Sequence, residues 1–364
     1  MDVKKINTLS LFAGGGGLDL GFAAAGFNIC CSSDIDAHSC KSLKINQKRS
    51  DLFTPHDVIC GDIANLNAEK LLKNSEDKKV DFIIGGPPCQ AFSIFGKRKG
   101  LEDPRGNLVF EYARIIQELQ PKGFLFENVF GLKTIHEGGL LKELKALLSF
   151  NGDYHVSFHE YDVAEFGIPQ FRRRVFFIGH SKGTELPVMH TTHTAPASLF
   201  NGHKPFRTVG PVLKNMPPPI TDWKLKPVID SHVGREHSQR IIDRYGSLRF
   251  GERDPRTRIN KLDPNRPSYT IIVGSDKGGG KGHVHPTQPR EVTPRESARL
   301  QTFPDWWEFY GTGRHVIRQV GNAVPPLFAA QLAAHIAEHI FDIPNRTDYD
   351  YFIKKLKLDF LKDE

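Results

Sequence analysis

A cysteine stands at position 89 in the run Gly85-Gly86-Pro87-Pro88-Cys89-Gln90. Glycines and prolines hold such a backbone in a defined, non-helical turn. A thiol fixed there becomes a nucleophile once its surroundings lower its pKa, and is inert without that help. A carboxylic acid, Glu127, follows the apolar run Phe124-Leu125-Phe126. An acid placed directly after a buried strand is partly buried itself, which raises its pKa and suits it to general-acid work at neutral pH. The plainer alternative is a helix or loop cap. Arg172 and Arg174 lie two apart in Gln170-Phe171-Arg172-Arg173-Arg174. Alternate residues of an extended chain point the same way, so both guanidinium groups are expected on one face, suited to phosphate or a base carbonyl. A solvated strand edge would look the same.

A second group of residues is suited to holding a nucleoside. Residues 8–12 run straight into Gly14-Gly15-Gly16-Gly17 and then a helical pattern. A glycine loop between strand and helix lets a ligand approach the backbone closely. The dinucleotide-binding pattern wants a small residue three after Gly16; Asp19 stands there instead, which disfavours a nicotinamide or flavin oxidoreductase. Asp34 closes the next apolar run and Asp62 the one after. At strand tips these acids could accept hydrogen bonds from ribose hydroxyls and from an adenine amino group. As isolated residues they would be ordinary caps.

The elements that must position these groups alternate along the first half of the chain. Strand-like runs cover residues 8–12, 27–31, 58–60, 80–84 and 124–126, with 155–161 and 175–178 after them. Helical patterns cover 108–119 and 140–150. Such alternation predicts an α/β fold, a mostly parallel sheet covered on both faces. Residues 1–180 are expected to form the catalytic and cofactor-binding domain, completed by 320–341, where a helix opens on prolines and is apolar along one face (326–340). Residues 181–265, rich in Pro, His and Arg and weakly periodic, are expected to form a smaller domain. Residues 266–319 lead back from it, and the lysine-rich 342–364 are expected to form a loosely held tail.

Composition narrows the partners. The 364 residues carry a net charge of +7, which favours an anionic partner without choosing which. No apolar run is long enough to cross a bilayer, and the N-terminal residues lack a secretory leader's pattern, so an intracellular, cytoplasmic protein is expected. The five cysteines include no C-x-x-C pair, so neither a metal site nor a disulfide framework is expected. Cys30, Cys31, Cys40 and Cys60 read as small buried hydrophobes.

Taken in order, these segments resemble the C5-cytosine DNA methyltransferase family across nearly the whole chain. Phe12-Ala13-Gly14-Gly15-Gly16 is similar to its S-adenosylmethionine loop. Asp34 falls where the family has a ribose-binding acid, usually Glu, and Ile35 where some members carry an aromatic. Gly61-Asp62-Ile63 is similar to the adenine-contact segment, Gly86-Pro87-Pro88-Cys89-Gln90-Ala91-Phe92-Ser93 to the nucleophile motif, and Glu127-Asn128-Val129 to the acid motif. Gln170-x-Arg172-x-Arg174 resembles the arginine motif. Arg266-Pro267-Ser268-Tyr269-Thr270-Ile271 resembles the segment supporting the recognition domain, and Gly321-Asn322-Ala323-Val324-Pro325 the closing motif.

The resemblance implies the S-adenosylmethionine-dependent, Rossmann-like methyltransferase fold, with 181–265 as target-recognition domain. It implies that Gly14, Gly16, Asp34 and Asp62 bind the cofactor, that Phe12, Ile35, Ile63, Pro88 and Leu108 line its pocket, and that Asn322 touches it. It implies a mechanism in which Cys89 attacks cytosine C6, Glu127 serves N3 and Arg174 holds O2, with the cytosine flipped out of double-stranded DNA. A restriction endonuclease encoded alongside is the candidate genetic partner. The alternatives are a tRNA cytosine-5 methyltransferase of the related RNA-acting branch and a non-catalytic DNA-binding relative. Intact Cys89, Glu127 and Arg174 disfavour the latter.

Overall fold

The computed structural model describes the chain except residues 1–4, 76–78, 89–106, 133–138, 182, 196–201, 223, 272, 274–281, 345–347 and 363–364. Cys89 therefore lies outside the described residues. The first half runs β1 (Ile6–Leu11), α1 (Gly17–Ala24), β2 (Phe27–Asp34), α2 (Ala37–Asn46), β3 (Asp57–Cys60), α3 (Ala68–Leu71), β4 (Phe82–Gly85), α4 (Asn107–Leu119), β5 (Gly123–Val129), α5 (Gly139–Leu148), β6 (His155–Asp162) and β7 (Arg173–His180). The seven strands form one sheet in the order β3-β2-β1-β4-β5-β7-β6. All neighbours are parallel except β7, which is antiparallel to β5 and to β6.

Side chains alternate across this sheet into two apolar layers, as the two-residue period of a strand requires. Phe82, Ile84, Leu125, Phe176 and Ile178 enter one layer; Leu9, Leu11, Ile83, Phe124, Phe126 and Phe177 enter the other. The second layer is covered by α4 and α5 through Tyr112, Ile115, Ile116, Leu140, Leu144 and Leu148. The first is covered by α1 and by α10 (Pro326–Phe341), whose backbones come close: a β-carbon on Gly21 would lie 2.4 Å from that of Ala329. Being buried on both faces, the strands read as near-continuous apolar runs. β1 leads to β2 on one side and pairs with β4 on the other, so a crevice opens at the carboxyl ends where the strand order reverses.

Residues 181–319 carry two short paired strands, β8 (His193–Thr194) and β9 (Lys204–Pro205), with α6 (Val209–Leu213), α7 (Gln239–Ser247) and α8 (Pro294–Leu300). A small apolar cluster of Tyr245, Leu248, Ile259 and Val284 lies within this region, so it takes a residue from beyond 265. Val284 N–H donates to Asn260 O and its carbonyl accepts from Leu262 N–H. After α9 (Gly313–Asn322) and α10, the C-terminal residues do not form a loose tail. They fold as α11 (Tyr349–Leu356) and a single 3-10 turn, Asp359–Leu361. Phe352, Leu356 and Leu358 are fully buried in the first layer. Alternation of these apolar residues with lysines makes the segment amphipathic, which the lysine content concealed. Among the described residues no helix is long and apolar enough to cross a membrane.

Candidate active site

Glu127 sits near the end of β5, beside the chain that leaves β4 towards Cys89. Gly85 pairs with Phe126 in the sheet, which brings Gly86 alongside Glu127. A β-carbon on Gly86 would lie 2.8 Å from Glu127 Oε2, so a side chain at that position would meet the carboxylate. The adjoining Asn128 donates from Nδ2 to the Pro87 carbonyl at 3.1 Å. Two neighbouring residues of one strand thus fix the start of the cysteine loop. Glu127 is 9% exposed, and its Oε1 lies 3.0 Å from Nε of Arg174 across the antiparallel β5–β7 pair. Burial pushes the Glu127 carboxyl up, against the opposing pull of Arg174 and Arg172. Such a group is within reach of protonation while still held in place by an ion pair.

Arg172 and Arg174 do not share an open face. Arg172 is fully buried, and its Nη2 donates to the carbonyls of Gly321 and Ala323, both at 2.8 Å. The closing segment packs over it, so Arg172 cannot reach a phosphate, while Arg174 stays beside Glu127. Arg173 points outward, its guanidinium 4.0 Å above the Phe130 ring.

The glycine loop leaves β1 in left-handed backbone, with Phe12 at φ 55°, Gly14 at 54° and Gly16 at 80°. Glycine accepts this region without strain. Asp34 ties the surroundings together. Its Oδ2 accepts from Gly14 N–H at 2.7 Å, its Oδ1 from Asp36 N–H at 2.8 Å, and its carbonyl from Gly61 N–H at 3.0 Å. Burial pushes its carboxyl up, opposed by those amides. A β-carbon on Gly16 would meet Trp307 at 2.7 Å, and one on Gly17 would meet the Val324 carbonyl at 2.1 Å. On Gly14 it would meet only the Phe12 carbonyl, at 3.9 Å. The loop is therefore packed from behind and open at Gly14. Phe12, Ile63 and Leu108 belong to one apolar cluster, and Ile35 is 71% exposed. Asp62 is exposed and caps the turn Ile63–Asn65 by accepting from Ala64 N–H. Pro88 and Asn322 are exposed, the latter between the two residues whose carbonyls Arg172 holds.

Residues 6–338 match the family C-5 cytosine-specific DNA methylase. The chain belongs to this family. It is a DNA cytosine-5 methyltransferase, with the Rossmann-like fold of S-adenosylmethionine-dependent methyltransferases. A Type II methyltransferase, M.XorII of Xanthomonas oryzae, is 32% identical over 373 residues, covering 93% of this chain and 86% of the relative. M.NgoFVII of Neisseria gonorrhoeae is 35% identical, covering 95% and 90%. A solved putative DNA modification methyltransferase from an E. coli prophage superposes with TM-score 0.73 at 31% identity, covering 93% of this chain and all of that one. The Entamoeba histolytica methyltransferase EhMeth, at TM-score 0.62 and 18% identity, shares the fold.

In this methyltransferase the arginine motif is stitched to the segment at 266–271. Phe171 N–H donates to Ser268 O, Ser268 N–H to Pro169 O, and the Thr270 hydroxyl to Phe171 O. The contacts of Asn128 with Pro87, of Gly86 with Glu127 and of Trp307 with Gly16 were not legible in the sequence, since they depend on strand register and on residues far away in the chain. Cys60 also departs from expectation. It is exposed, at the end of edge strand β3, whereas Cys31 and Cys40 are buried and Cys30 is half-buried.

Proposed function

We propose that this methyltransferase acts on a cytosine flipped out of a specific duplex DNA sequence, through a covalent bond between Cys89 Sγ and C6. The observation that carries this reading is the joint between β4 and β5. A buried acid with a raised pKa, paired to Arg174, touches Gly86, and Asn128 holds the Pro87 carbonyl two residues before Cys89. Attack of the thiolate on C6 pushes the C5–C6 electron pair toward N3. Glu127, protonated, gives N3 its hydrogen bond or proton, and Arg174 holds O2. C5 then carries the density needed to take a methyl group. S-adenosylmethionine, when bound, supplies that methyl as an electrophilic sulfonium substituent. Loss of the C5 proton to a base and departure of the thiol restore the aromatic ring and the enzyme.

The residues around the glycine loop suit that cofactor. Gly14 gives an open backbone approach, Gly16 sets the turn, and the Asp34 carboxylate keeps further lone pairs for ribose hydroxyls. Asp62 offers an acceptor at the neighbouring tip, and Phe12, Ile35, Ile63, Pro88, Leu108 and Asn322 form the surrounding walls. Arg172 acts from behind, joining the arginine motif to the closing segment. Residues 181–265 select the target sequence, and a companion restriction endonuclease is the natural genetic partner of a cytoplasmic enzyme of this type.

A duplex with 5-fluorocytosine at the target tests the adduct. Fluorine cannot leave as a proton does, so the wild type with cofactor gives a denaturation-resistant complex mapping to Cys89. Cys89→Ala gives none and does not methylate. An adduct on Cys30, Cys31, Cys40 or Cys60 would overturn the mechanism, and methylation of tRNA in preference to duplex would overturn the substrate.

A further inference from the structure

Behind the glycine loop, away from the open side of Gly14, a chain of polar groups running from a buried acid to a half-buried histidine has no part in the chemistry above. Asp19, the third residue of α1, is fully buried. Its Oδ2 accepts from the Ser10 hydroxyl on β1 at 2.9 Å and its Oδ1 from the Ser32 hydroxyl on β2 at 2.6 Å. Ser32 Oγ also lies 2.9 Å from Nε2 of His56, whose Nδ1 is 2.9 Å from the Thr54 carbonyl.

The hydrogens in this chain can be counted. A carbonyl only accepts, so His56 Nδ1 must carry a hydrogen. Ser32 has one hydroxyl hydrogen and two neighbours. If it points to Asp19, His56 must donate from Nε2 and is an imidazolium. If it points to His56, Asp19 must donate and is a carboxylic acid. Either arrangement contains one proton more than a neutral imidazole and a carboxylate. Without that proton, Ser32 would face a bare acceptor and a negative charge would sit in the interior, both costly.

The surroundings bear on where the proton rests. Asp57 on β3 faces His56 and favours its retention, and the Asp19 charge also acts on Asp34. His56 borders a cavity lined by Lys5, Lys354, Lys355, Lys357 and Asp51, whose lysines act the other way. Burial pushes the Asp19 carboxyl up and the His56 imidazole down, so both lean to their neutral forms.

We infer that Asp19, Ser32 and His56 share one proton at neutral pH and are positioning residues for the cofactor loop. The attachment points explain the choice. Asp19 lies three residues after Gly16, Ser10 two before Phe12, and Ser32 two before Asp34. The shared proton therefore locks the start of α1 to the two strands that present the loop and the ribose acid. This rests on the cofactor site proposed above.

The test uses the full chain and the dissociation constant of S-adenosylmethionine, measured by calorimetry across pH. Wild-type affinity should fall with rising pH by up to ~10-fold, the loss of roughly one hydrogen bond, as the proton leaves. Asp19→Asn reproduces the acid's hydrogen-bond pattern without titrating, so its affinity should stay at the wild-type low-pH value throughout. An Asn variant whose affinity falls in parallel with wild type overturns the inference. In wild type alone, nitrogen NMR of labelled histidine should show His56 responding at the pH where affinity falls; a ring titrating as an isolated imidazole overturns it. No cofactor binding by wild type at any pH would instead overturn the cofactor site, and the NMR titration would still decide the shared proton.

Discussion

At the carboxyl edge of the sheet, Glu127 and Arg174 pair at 3.0 Å next to the exit toward Cys89. In the region from 230 to 305, arginines pair just as closely but for another purpose. Arg295, fully buried, donates to the carbonyls of Asp230, Pro304 and Trp307 and pairs with the Asp230 carboxylate. Arg290 holds Glu296 at 2.6 Å, and Arg299 holds Asp305 at 2.6 Å. Arg244 holds Asp254 at 2.7 Å. Burial pushes the Glu296 carboxyl up, but Arg290, with His285 and the Thr293 amide, together hold it below its ordinary value. In a region with little apolar core and only short elements, guanidinium forks join loop carbonyls and acids where packing cannot. An arginine-rich sequence is thus not in itself a nucleic-acid surface. The same side chain is the partner of a buried acid at one site, a strut at the next, and a free cation only where it is exposed.

The largest expected effect lies at the first region. Glu127→Gln should lower kcat by roughly 10²–10⁴-fold, the usual loss of a general acid, in single-turnover methylation of duplex DNA. Because burial raises the Glu127 carboxyl, the protonated form is lost as pH rises through its folded value. Wild-type kcat should therefore have a falling alkaline limb, and the Gln variant should lack it. A variant with wild-type kcat would place the acid elsewhere.

The next effect sharpens the contrast, because it should appear in stability. Arg295→Met leaves the Asp230 carboxylate, among the described residues, with the Phe309 amide and the Ser231 hydroxyl as donors. Arg295 is fully buried but the Asp230 side chain is 28% exposed, so losing the guanidinium should cost about 1–3 kcal/mol through its hydrogen bonds, which urea unfolding would read directly. A loss under 1 kcal/mol would mean that the arginine is dispensable to the scaffold.

The two regions also differ in how far a single sequence displays them. β1 to β7 were legible because apolar runs with Gly- and Pro-rich exits carry a strong local signal, and Glu127, Asp34 and the glycine loop fall at those exits. Arg172 was legible as an arginine but not as a buried one, since its partners, Gly321 and Ala323, lie about 150 residues away. Strand alternation gives the side of a sheet, not what covers it. The region after 181 gave little beyond composition. Its order comes from side-chain to carbonyl bonds with no periodicity, and its small cluster draws Val284 from across the expected boundary. The C-terminal helix was hidden by its lysines.

At the cofactor loop, Asp34→Ala should raise the dissociation constant of S-adenosylmethionine, a loss on the order of 1–3 kcal/mol for hydrogen bonds to a charged group. Part of that loss comes through the loop itself, since the Gly14 and Asp36 amides lose their acceptor. Asp62→Ala removes only an exposed cap and a candidate adenine contact, so its effect should be smaller. Unchanged affinity in both would move the pocket elsewhere.

The smallest effect tests the remaining class of arginine. Arg249 has 91% of its side chain exposed; its guanidinium lies 3.7 Å from the Glu252 carboxylate, which instead accepts from the Arg249 backbone N–H at 2.8 Å. It adjoins Phe250, itself 53% exposed, on the segment proposed to select the target sequence. A cation held this loosely gains little from its intramolecular neighbour, so removing it should leave unfolding unchanged. If it meets a DNA phosphate, Arg249→Ala should weaken binding to every duplex about equally and reduce the slope of log affinity against log salt by about 0.9, one counterion's worth. Arg295→Met, compared at a urea concentration of zero where it remains folded, should leave that slope unaltered, because a buried guanidinium releases no counterions. An Arg249 variant with the wild-type slope would show that exposure alone does not mark the DNA-facing arginines, and that the +7 charge of the chain is directed at the duplex from some other surface.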